Sequence, residues 1–356
     1  MNSSRQINLE KEYILLSQVG VGACCHVYKA IHIPTKSIVA IKNYYKYSSQ
    51  RNNTEECQRE IDIANSINSD YVAHLNDVFY TKLGKKLYFV YPYLEFDLQG
   101  IIRSTAPGFL SMAHISYLFS QILMGLRDIH ESHVIHLDIK PGNILVTPQN
   151  QVKIIDFGIS QREDEPNQPN KGGTVIYMPP EALLNCLPMS QANDLWSAGV
   201  TLYEMITHKP LVSSSDISSA LLCIRQRIGF PTAEDLKLPH SKILQISKYS
   251  APNTMHPFLT STINPGTIPG STQAECDAAI DLIMKLISFN PSKRIKAKRA
   301  LGHPFIEMFA NEAQLPELSL HESHQERASG TIRSSISEND ISMLRPAKIV
   351  PKTIFA

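Results

Sequence analysis

The densest set of reactive side chains lies between His136 and Gly158, in the run HLDIKPGNILVTPQNQVKIIDFG. Asp138, Asn143 and Asp156 bring two carboxylates and an amide into one short stretch. Between them, Ile144-Leu145-Val146 and Val152 to Ile155 read as two short strands, with Pro148-Gln149-Asn150 as the turn. A hairpin of this kind holds one carboxylate at the entrance of its first strand and another at the exit of its second, so both face one ligand. Oxygen donors placed this way suit Mg²⁺, which keeps some of its waters and binds through one or two carboxylates plus the phosphates of a substrate. An isolated His-x-Asp is more often a capped turn; the strand pair and the second aspartate give the stretch its weight.

The same residues carry a family resemblance. His136-Leu137-Asp138-Ile139-Lys140-Pro141-Gly142-Asn143, followed by Asp156-Phe157-Gly158, resembles the catalytic loop H-R-D-x-K-P-x-N and the D-F-G turn of eukaryotic protein kinases, with Leu137 in place of the arginine. The resemblance implies an α+β, bilobal protein kinase fold with a small β-rich N-lobe (13–91), a hinge (92–97) and a larger α-helical C-lobe (98–306). An N-terminal extension (1–12) precedes it, and residues 307–356 read as a flexible polar tail. It further implies that Asp138 orients the acceptor hydroxyl and takes its proton, that Lys140 steadies the γ-phosphate of ATP, and that Asn143 and Asp156 hold Mg²⁺.

Upstream, Tyr13 to Ala30 reads as strand (YILLSQ), turn (VGVGACCHV) and strand (YKA). Gly20 and Gly22 leave no Cβ where backbone amides approach phosphates, although a Gly-rich hairpin is also an ordinary structural turn. The stretch resembles G-x-G-x-x-G-x-V, with Cys25 at the third glycine and Val27 closing it, which implies a stiffer or displaced loop. Ile38 to Lys42 is a β-branched strand ending in a lysine, a residue that commonly snorkels to the surface. By resemblance Lys42 grips the α- and β-phosphates and pairs with Glu60, on a helix read through EECQREIDIANSI with Asn53 and Glu56 as a capping-box start. Arg59-Glu60-Ile61 resembles the matching segment of cyclin-dependent kinases, which leaves a cyclin-like or other regulatory partner open. Leu87 to Leu98 resembles the hinge. Tyr91 would stand beside adenine, Pro92 would offer its carbonyl, Leu94 its N–H and C=O, and Asp97 its carboxylate to the ribose. Ala40 and Leu145 complete the nucleotide-lining set. A single loop aspartate is otherwise a turn or cap residue.

From Ser111, a plausible N-cap, Ile115, Leu118, Phe119, Ile122, Leu123, Leu126 and Ile129 repeat at helical spacing and mark a core helix. After Gly158 the chain turns polar and resembles a kinase activation segment ending at Pro179-Pro180-Glu181. Kinases activated by phosphorylation use the arginine of H-R-D to grip a loop phosphate. Here that residue is Leu137, and Gln161 to Gly173 contains no Ser, Thr or Tyr. Independence of activation-loop phosphorylation is therefore expected. Glu163, Asp164 and Glu165 either reach Arg59 or Arg162 or are solvated. Asp194 to Gly199 resembles D-x-W-S-x-G, whose aspartate steadies the catalytic loop. IGFPTAEDL (228–236) and residues 281–306 resemble cyclin-dependent and MAP kinases, with Arg294 as ion-pair partner of Glu181. Met178 stands where proline-directed members keep an arginine, and Gly142 where many arginine-directed ones keep a glutamate, so neither preference is implied.

Composition sets outer bounds. At 356 residues, 43 % hydrophobic and 19 % charged, the chain can bury a large core. Lys plus Arg (34) against Asp plus Glu (33) gives no global field for nucleic acid or an acidic membrane. No apolar run approaches spanning length, and the six cysteines show no zinc spacing, which points to reduced thiols in cytoplasm or nucleus. Three function classes follow: an active serine/threonine kinase using ATP and Mg²⁺ on protein hydroxyls, a pseudokinase scaffold, and a small-molecule phosphotransferase. Intact Lys42, Glu60, Asp138, Asn143 and Asp156 favour the first, and the activation segment disfavours the third.

Overall fold

Strand-forming, β-branched and aromatic sequence dominates up to the hinge region and helix-period sequence follows it; the architecture changes with that pattern. The computed structural model describes residues 5–7, 9–22, 25–44, 51–81, 87–165, 172–229, 254–310, 315 and 317–318. The chain divides into two units, one of Met1–Gln58, His74–Leu94 and Glu322–Ala356, the other of Arg59–Ala73 and Glu95–His321.

The first unit is built on a sheet of β1 (Arg5–Ile7), β2 (Tyr13–Val21), β3 (Cys25–His32), β4 (Ile38–Tyr44), β5 (Asp77–Thr81) and β6 (Leu87–Pro92), in the order β1-β5-β6-β4-β3-β2. Neighbours are antiparallel except β1, which runs parallel to β5 and reaches β2 through the short helix α1 (Leu9–Glu12). Alternation along β4 decides its faces: Val39, Ile41 and Asn43 are buried, while Ala40, Lys42 and Tyr44 are half-buried. Val39 and Ile41 join Tyr13, Ala30, Phe79, Tyr88 and Val90 in the core. Within it the Phe79 ring stacks on Tyr13 at 5.5 Å and on Tyr88 at 5.0 Å. Gly20 lies inside β2 and Cys25 opens β3, so the turn is tighter than the sequence implied, closed by Gly22 N–H donating to Cys25 O at 2.8 Å.

The helix α2 (Arg51–Ser66) begins two residues before Asn53, which is therefore an interior position and not its cap. Its later residues Ile63 and Ala64, with Ile67 and Val72, belong to the core of the second unit, which explains why 59–73 group there.

That unit is mainly helical: α3 (Leu98–Ser104), α4 (Met112–Glu131), α5 (Pro180–Leu183), α6 (Gln191–Thr207), α7 (Ile217–Ile228), α8 (Met255–Thr262), α9 (Gln273–Leu286), α10 (Ala297–Ala300) and α11 (Pro304–Glu307). Ser111 caps α4 by accepting the His114 N–H at 3.2 Å. The central member is α6, buried on nearly every face and started by a Ser190–Asn193 capping box. A Cβ at Gly199 would stand 2.6 Å from Ile287 Cγ2 and 2.8 Å from Leu286 Cβ, so only glycine lets α6 approach the end of α9. Five short strands sit among these helices: β7 (Phe96–Asp97), β8 (Val134–Ile135), β9 (Ile144–Val146), β10 (Val152–Ile154) and β11 (Gln161–Arg162). β9 and β10 form the hairpin read from sequence, in register Ile144 to Ile154 and Val146 to Val152, and β7 extends it. In the stretch read as a polar tail, Leu318 is buried with this core and its N–H donates to Pro148 O at 3.0 Å, anchoring the chain on the hairpin turn. Most of IGFPTAEDL lies outside the described residues. No described helix is long and apolar enough to cross a membrane.

Candidate active site

The catalytic-loop stretch is held by one buried carboxylate. Asp194, with no exposed surface, sits in the first turn of α6. Its Oδ2 accepts the His136 N–H at 2.9 Å and lies 2.9 Å from His130 Nε2; its Oδ1 accepts the Leu137 N–H at 2.8 Å. That last bond fastens Leu137 at φ +68°, a left-handed conformation that an ordinary residue adopts only when its surroundings impose it. The His136 ring is locked as well. Its Nε2–H donates to Ile155 O at 3.0 Å, which leaves Nδ1 to accept the Asp138 N–H at 3.3 Å and defines the tautomer.

This arrangement delivers Asp138 into a cage of donors. Lys140 Nζ (2.6 Å) and Asn143 Nδ2 (2.8 Å) reach Oδ2, while Thr174 donates to Oδ1 through both its N–H (3.1 Å) and its hydroxyl (2.8 Å). Lys140 Nζ also reaches Thr174 Oγ1 at 2.8 Å, so three donor side chains from the loop and the end of the activation segment converge on one carboxylate. The role of Thr174 is more than the sequence revealed: a threonine in a Gly-rich loop carries no signal of a contact 36 positions back.

Asn143 and Asp156 are joined through the backbone, Ile155 N–H donating to Asn143 O at 3.0 Å. Asn143 Nδ2 gives both its hydrogens to acceptors, Asp138 O and Asp138 Oδ2, each at 2.8 Å. The orientation of the amide is thereby fixed and its Oδ1 points the other way. Asp156 has φ +71°, and the Gly158 N–H approaches its Oδ1 at 3.4 Å. One carboxylate and one amide oxygen fit Mg²⁺ shared with a substrate's phosphates. They do not make an all-protein cage, and no cluster of three His, Cys, Asp or Glu occurs among the described residues. Glu60, buried, flanks the same turn: a Cβ on Gly158 would lie 3.5 Å from Glu60 Oε2 and 3.3 Å from Asp156 Oδ1. Leu145 is half-buried on β9, opposite Asp97 of β7. Asp97 is the N-cap of α3, accepting the Gly100 N–H at 2.7 Å, so the ordinary cap reading holds for that oxygen. Burial raises its pKa above the usual carboxylate value, with the Gly100 bond opposing.

In the first unit, strand register collects the predicted nucleotide-lining residues on one sheet face. Gly20 pairs with Val27, Val27 with Lys42, and Ala40 with Tyr91; directly opposed residues share a face. Lys42 Nζ stands 5.1 Å from the Tyr44 ring centre, and Lys29 Nζ stands 4.6 Å from that of Tyr93. Pro92 ends β6 opposite Val39, exposed, and Leu94 ends the segment His74–Leu94 of the unit.

The activation segment is anchored at its start by backbone. β11 pairs with β8, Ser160 Oγ donates to His136 O at 3.0 Å, and Glu163 N–H donates to His133 O at 3.0 Å. The Glu163 carboxylate meets His133 Nδ1 at 3.2 Å on the surface, a partner other than the Arg59 or Arg162 that the sequence offered. At the far end, Tyr177 donates its hydroxyl to Glu204 Oε2 at 2.7 Å, both groups buried. Burial first, then the Glu204 charge, pushes the phenol pKa far up; burial also raises Glu204 while the Tyr177 bond lowers it. Nothing in the sequence flagged this pair. Glu181 and Arg294 meet as the resemblance implied, Nη1 to Oε1 at 2.6 Å and Nη2 to Oε2 at 2.8 Å.

Comparison with known proteins agrees with this geometry. The protein kinase domain model matches residues 13–306. Extracellular signal-regulated kinase 2 of Dictyostelium discoideum is 30 % identical over 315 residues, covering 86 % of this chain and 82 % of its own length. Mitogen-activated protein kinase KSS1 of Saccharomyces cerevisiae is 33 % identical over 325 residues, covering 87 % and 86 %. Mitogen-activated protein kinase spk1 of Schizosaccharomyces pombe is 32 % identical over 324 residues, covering 87 % and 82 %. A match of that extent, over a chain that retains the catalytic-loop residues, means that this protein belongs to the protein kinase family, as a serine/threonine kinase of the cyclin-dependent and MAP kinase (CMGC) group.

Proposed function

We propose that the chain transfers the γ-phosphoryl group of ATP to serine and threonine hydroxyls of proteins in a Mg²⁺-dependent reaction that needs no phosphate on its activation segment. The observation that carries the reading is the Asp138 cluster. A carboxylate surrounded by Lys140, Asn143 and Thr174 is oriented to receive a hydroxyl proton, with a lysine cation beside it for the charge of the transferring group. Phosphoryl transfer asks the protein mainly for positioning and charge stabilisation, and these groups supply both. Asn143 and Asp156 would hold Mg²⁺, which when bound neutralises charge on the β- and γ-phosphate oxygens. Lys42 is the cation for the α- and β-phosphates, on a sheet face whose Val27, Ala40 and Tyr91 suit a nucleobase.

Independence of loop phosphorylation is supported by three facts. Leu137 offers no cation to a phosphate, Gln161 to Gly173 offers no hydroxyl to carry one, and the segment's start is tied by Ser160, β11 and Glu163. Cysteine spacing with no zinc-type pairing in a chain that can bury a large core supports a cytoplasmic or nuclear setting.

The test is Mg²⁺-dependent transfer from ATP to a generic protein substrate by the purified chain, before and after phosphatase treatment. Asp138→Asn should lower kcat by about 10²–10⁴-fold, and Asp156→Ala should abolish the Mg²⁺ response. Transfer indifferent to both substitutions would refute the assignment. An activating phosphate mapped between residues 161 and 173 would refute the regulatory part. Adding a cyclin-like protein to the same assay reports whether a partner is required.

A further inference from the structure

The ladder between β8 and β11 stops one residue short of the catalytic loop. Its register, Gln161 to Ile135 and Arg162 to Val134, continues so as to set Ser160 opposite His136. No backbone rung forms there, because the Ser160 N–H turns back to Phe157 O at 3.1 Å and the His136 N–H goes to Asp194 Oδ2 at 2.9 Å. A side chain makes the link instead. Ser160 Oγ–H donates to His136 O at 3.0 Å, and neither residue has exposed surface.

That carbonyl and the Leu137 N–H belong to one peptide unit, which is therefore gripped at both ends: the C=O by Ser160, the N–H by Asp194 Oδ1 at 2.8 Å. A trans peptide is rigid and turns only through ψ of His136 and φ of Leu137. Leu137 stands at φ +68°, so a return to the ordinary negative range would rotate the plane, lift the N–H from Asp194 and carry the next residue with it. The next residue is Asp138. The two grips that resist this rotation come from different elements, Asp194 from α6 and Ser160 from the chain leaving the Asp156–Gly158 turn. The His136 ring joins the same turn to the loop through Ile155 O at 3.0 Å, but it holds the side chain and leaves the peptide plane free to turn. Removing the Ser160 hydroxyl strands a buried carbonyl, and turning the peptide is its route to another donor.

We infer that Ser160 is a positioning residue for Asp138: its hydroxyl locks the His136–Leu137 peptide and so couples the placing of the carboxylate to that of the Asp156–Gly158 turn. The inference rests on the reading of Asp138 as the group that receives the acceptor hydroxyl. Ser160 itself touches no substrate and acts through the peptide.

The experiment measures kcat and KM for ATP of the full chain, with Mg²⁺ and a generic protein substrate, for wild type, Ser160→Ala, Asp138→Asn and the double variant. Ser160→Ala should lower kcat about 10-fold, as the loss of one buried hydrogen bond would, and leave KM for ATP within about 2-fold. In the Asp138→Asn background the same change should alter the residual rate by less than about 2-fold, because a residue that acts through the carboxylate has nothing to act through once it is gone. Ser160→Cys, similar in size with a weaker donor, should fall between wild type and Ser160→Ala, and takes its place in the cycle if Ser160→Ala fails to fold. An unchanged kcat, a loss confined to KM, or equal losses in both backgrounds overturns the inference and leaves the kinase assignment standing. Asp138→Asn equal to wild type overturns both.

Discussion

Replacing Arg294 by alanine tests how the substrate-side segment is secured. Arg294 is 4 % exposed and Glu181 2 %. The guanidinium spends two N–H groups on the carboxylate, donates Nε–H to Ser288 O at 2.8 Å and Nη1–H to Ala192 O at 2.9 Å, and lies 5.0 Å from the Trp196 ring centre. Truncation strands a buried carboxylate and two partly buried carbonyls. Breaking a buried pair from one side costs about 3–5 kcal/mol, and the lost carbonyl bonds argue for the upper half of that range. With roughly 2–4 °C per kcal/mol for a domain of this size, the unfolding midpoint should fall by roughly 8–20 °C. Thermal unfolding followed by circular dichroism reads it directly. Glu181→Leu with Arg294→Met should recover most of the loss, because removing both charges removes the stranded one. Below its melting range Arg294→Ala should keep kcat within about 3-fold of wild type, since the Asp138 donors come from other residues. A midpoint change under about 2 °C, or a double variant no better than the single, would refute the account of the pair as a buried charge needing its partner.

Asp194→Asn should be costly in a different way. Its carboxylate accepts two backbone N–H groups and approaches His130, and an amide must turn a hydrogen toward one of them; destabilisation of about 2–4 kcal/mol with a fall in kcat is expected, measured by urea unfolding and initial rates. Stability should decline as pH falls below the ordinary histidine value of 6.5, because burial lowers the pKa of His303 despite Asp281 at 2.9 Å. The unfolded chain then takes up the proton first, and the slope of stability against pH is positive in that window. Urea midpoints at about pH 7.5 and about pH 5.5 would show it. His303→Gln should flatten the difference, and an unchanged slope would exclude His303 as its source.

Much of the local scaffold was legible from sequence because it rests on short-range rules. The hairpin of β9 and β10 follows from two β-branched runs around Pro148 to Asn150, and the start of α4 from Ser111 ahead of a helical stripe. The Glu181–Arg294 pair was legible only by resemblance, since no spacing rule joins residues 113 positions apart. Other contacts had no local signature. β1 pairs through its backbone beside β5, Leu318 docks on a turn from within polar sequence, and Tyr177 finds Glu204 across two elements. Asn53 failed as a cap for the converse reason: the local pattern was present, but the helix continued through it to Arg51.

Four carboxylates of the second unit separate framework from chemistry by the kind of donor each has. Asp194 is held by main-chain N–H groups of His136 and Leu137, which cannot leave without unfolding the loop. Glu181 is held by an arginine fork with no exposed side-chain surface, and Glu204 by a buried tyrosine. Asp138 differs. Three of its four donors are side-chain groups, those of Lys140, Asn143 and Thr174, and it retains 13 % side-chain exposure while Lys140 retains 25 %. An ammonium group and a hydroxyl can rotate to admit a substrate oxygen and then turn to the charge that develops on it, whereas a peptide N–H cannot. The rigid framework under Asp194 and the movable cage over Asp138 are therefore complementary: one fixes where the carboxylate stands, and the other lets it exchange a resident donor for the hydroxyl it acts upon.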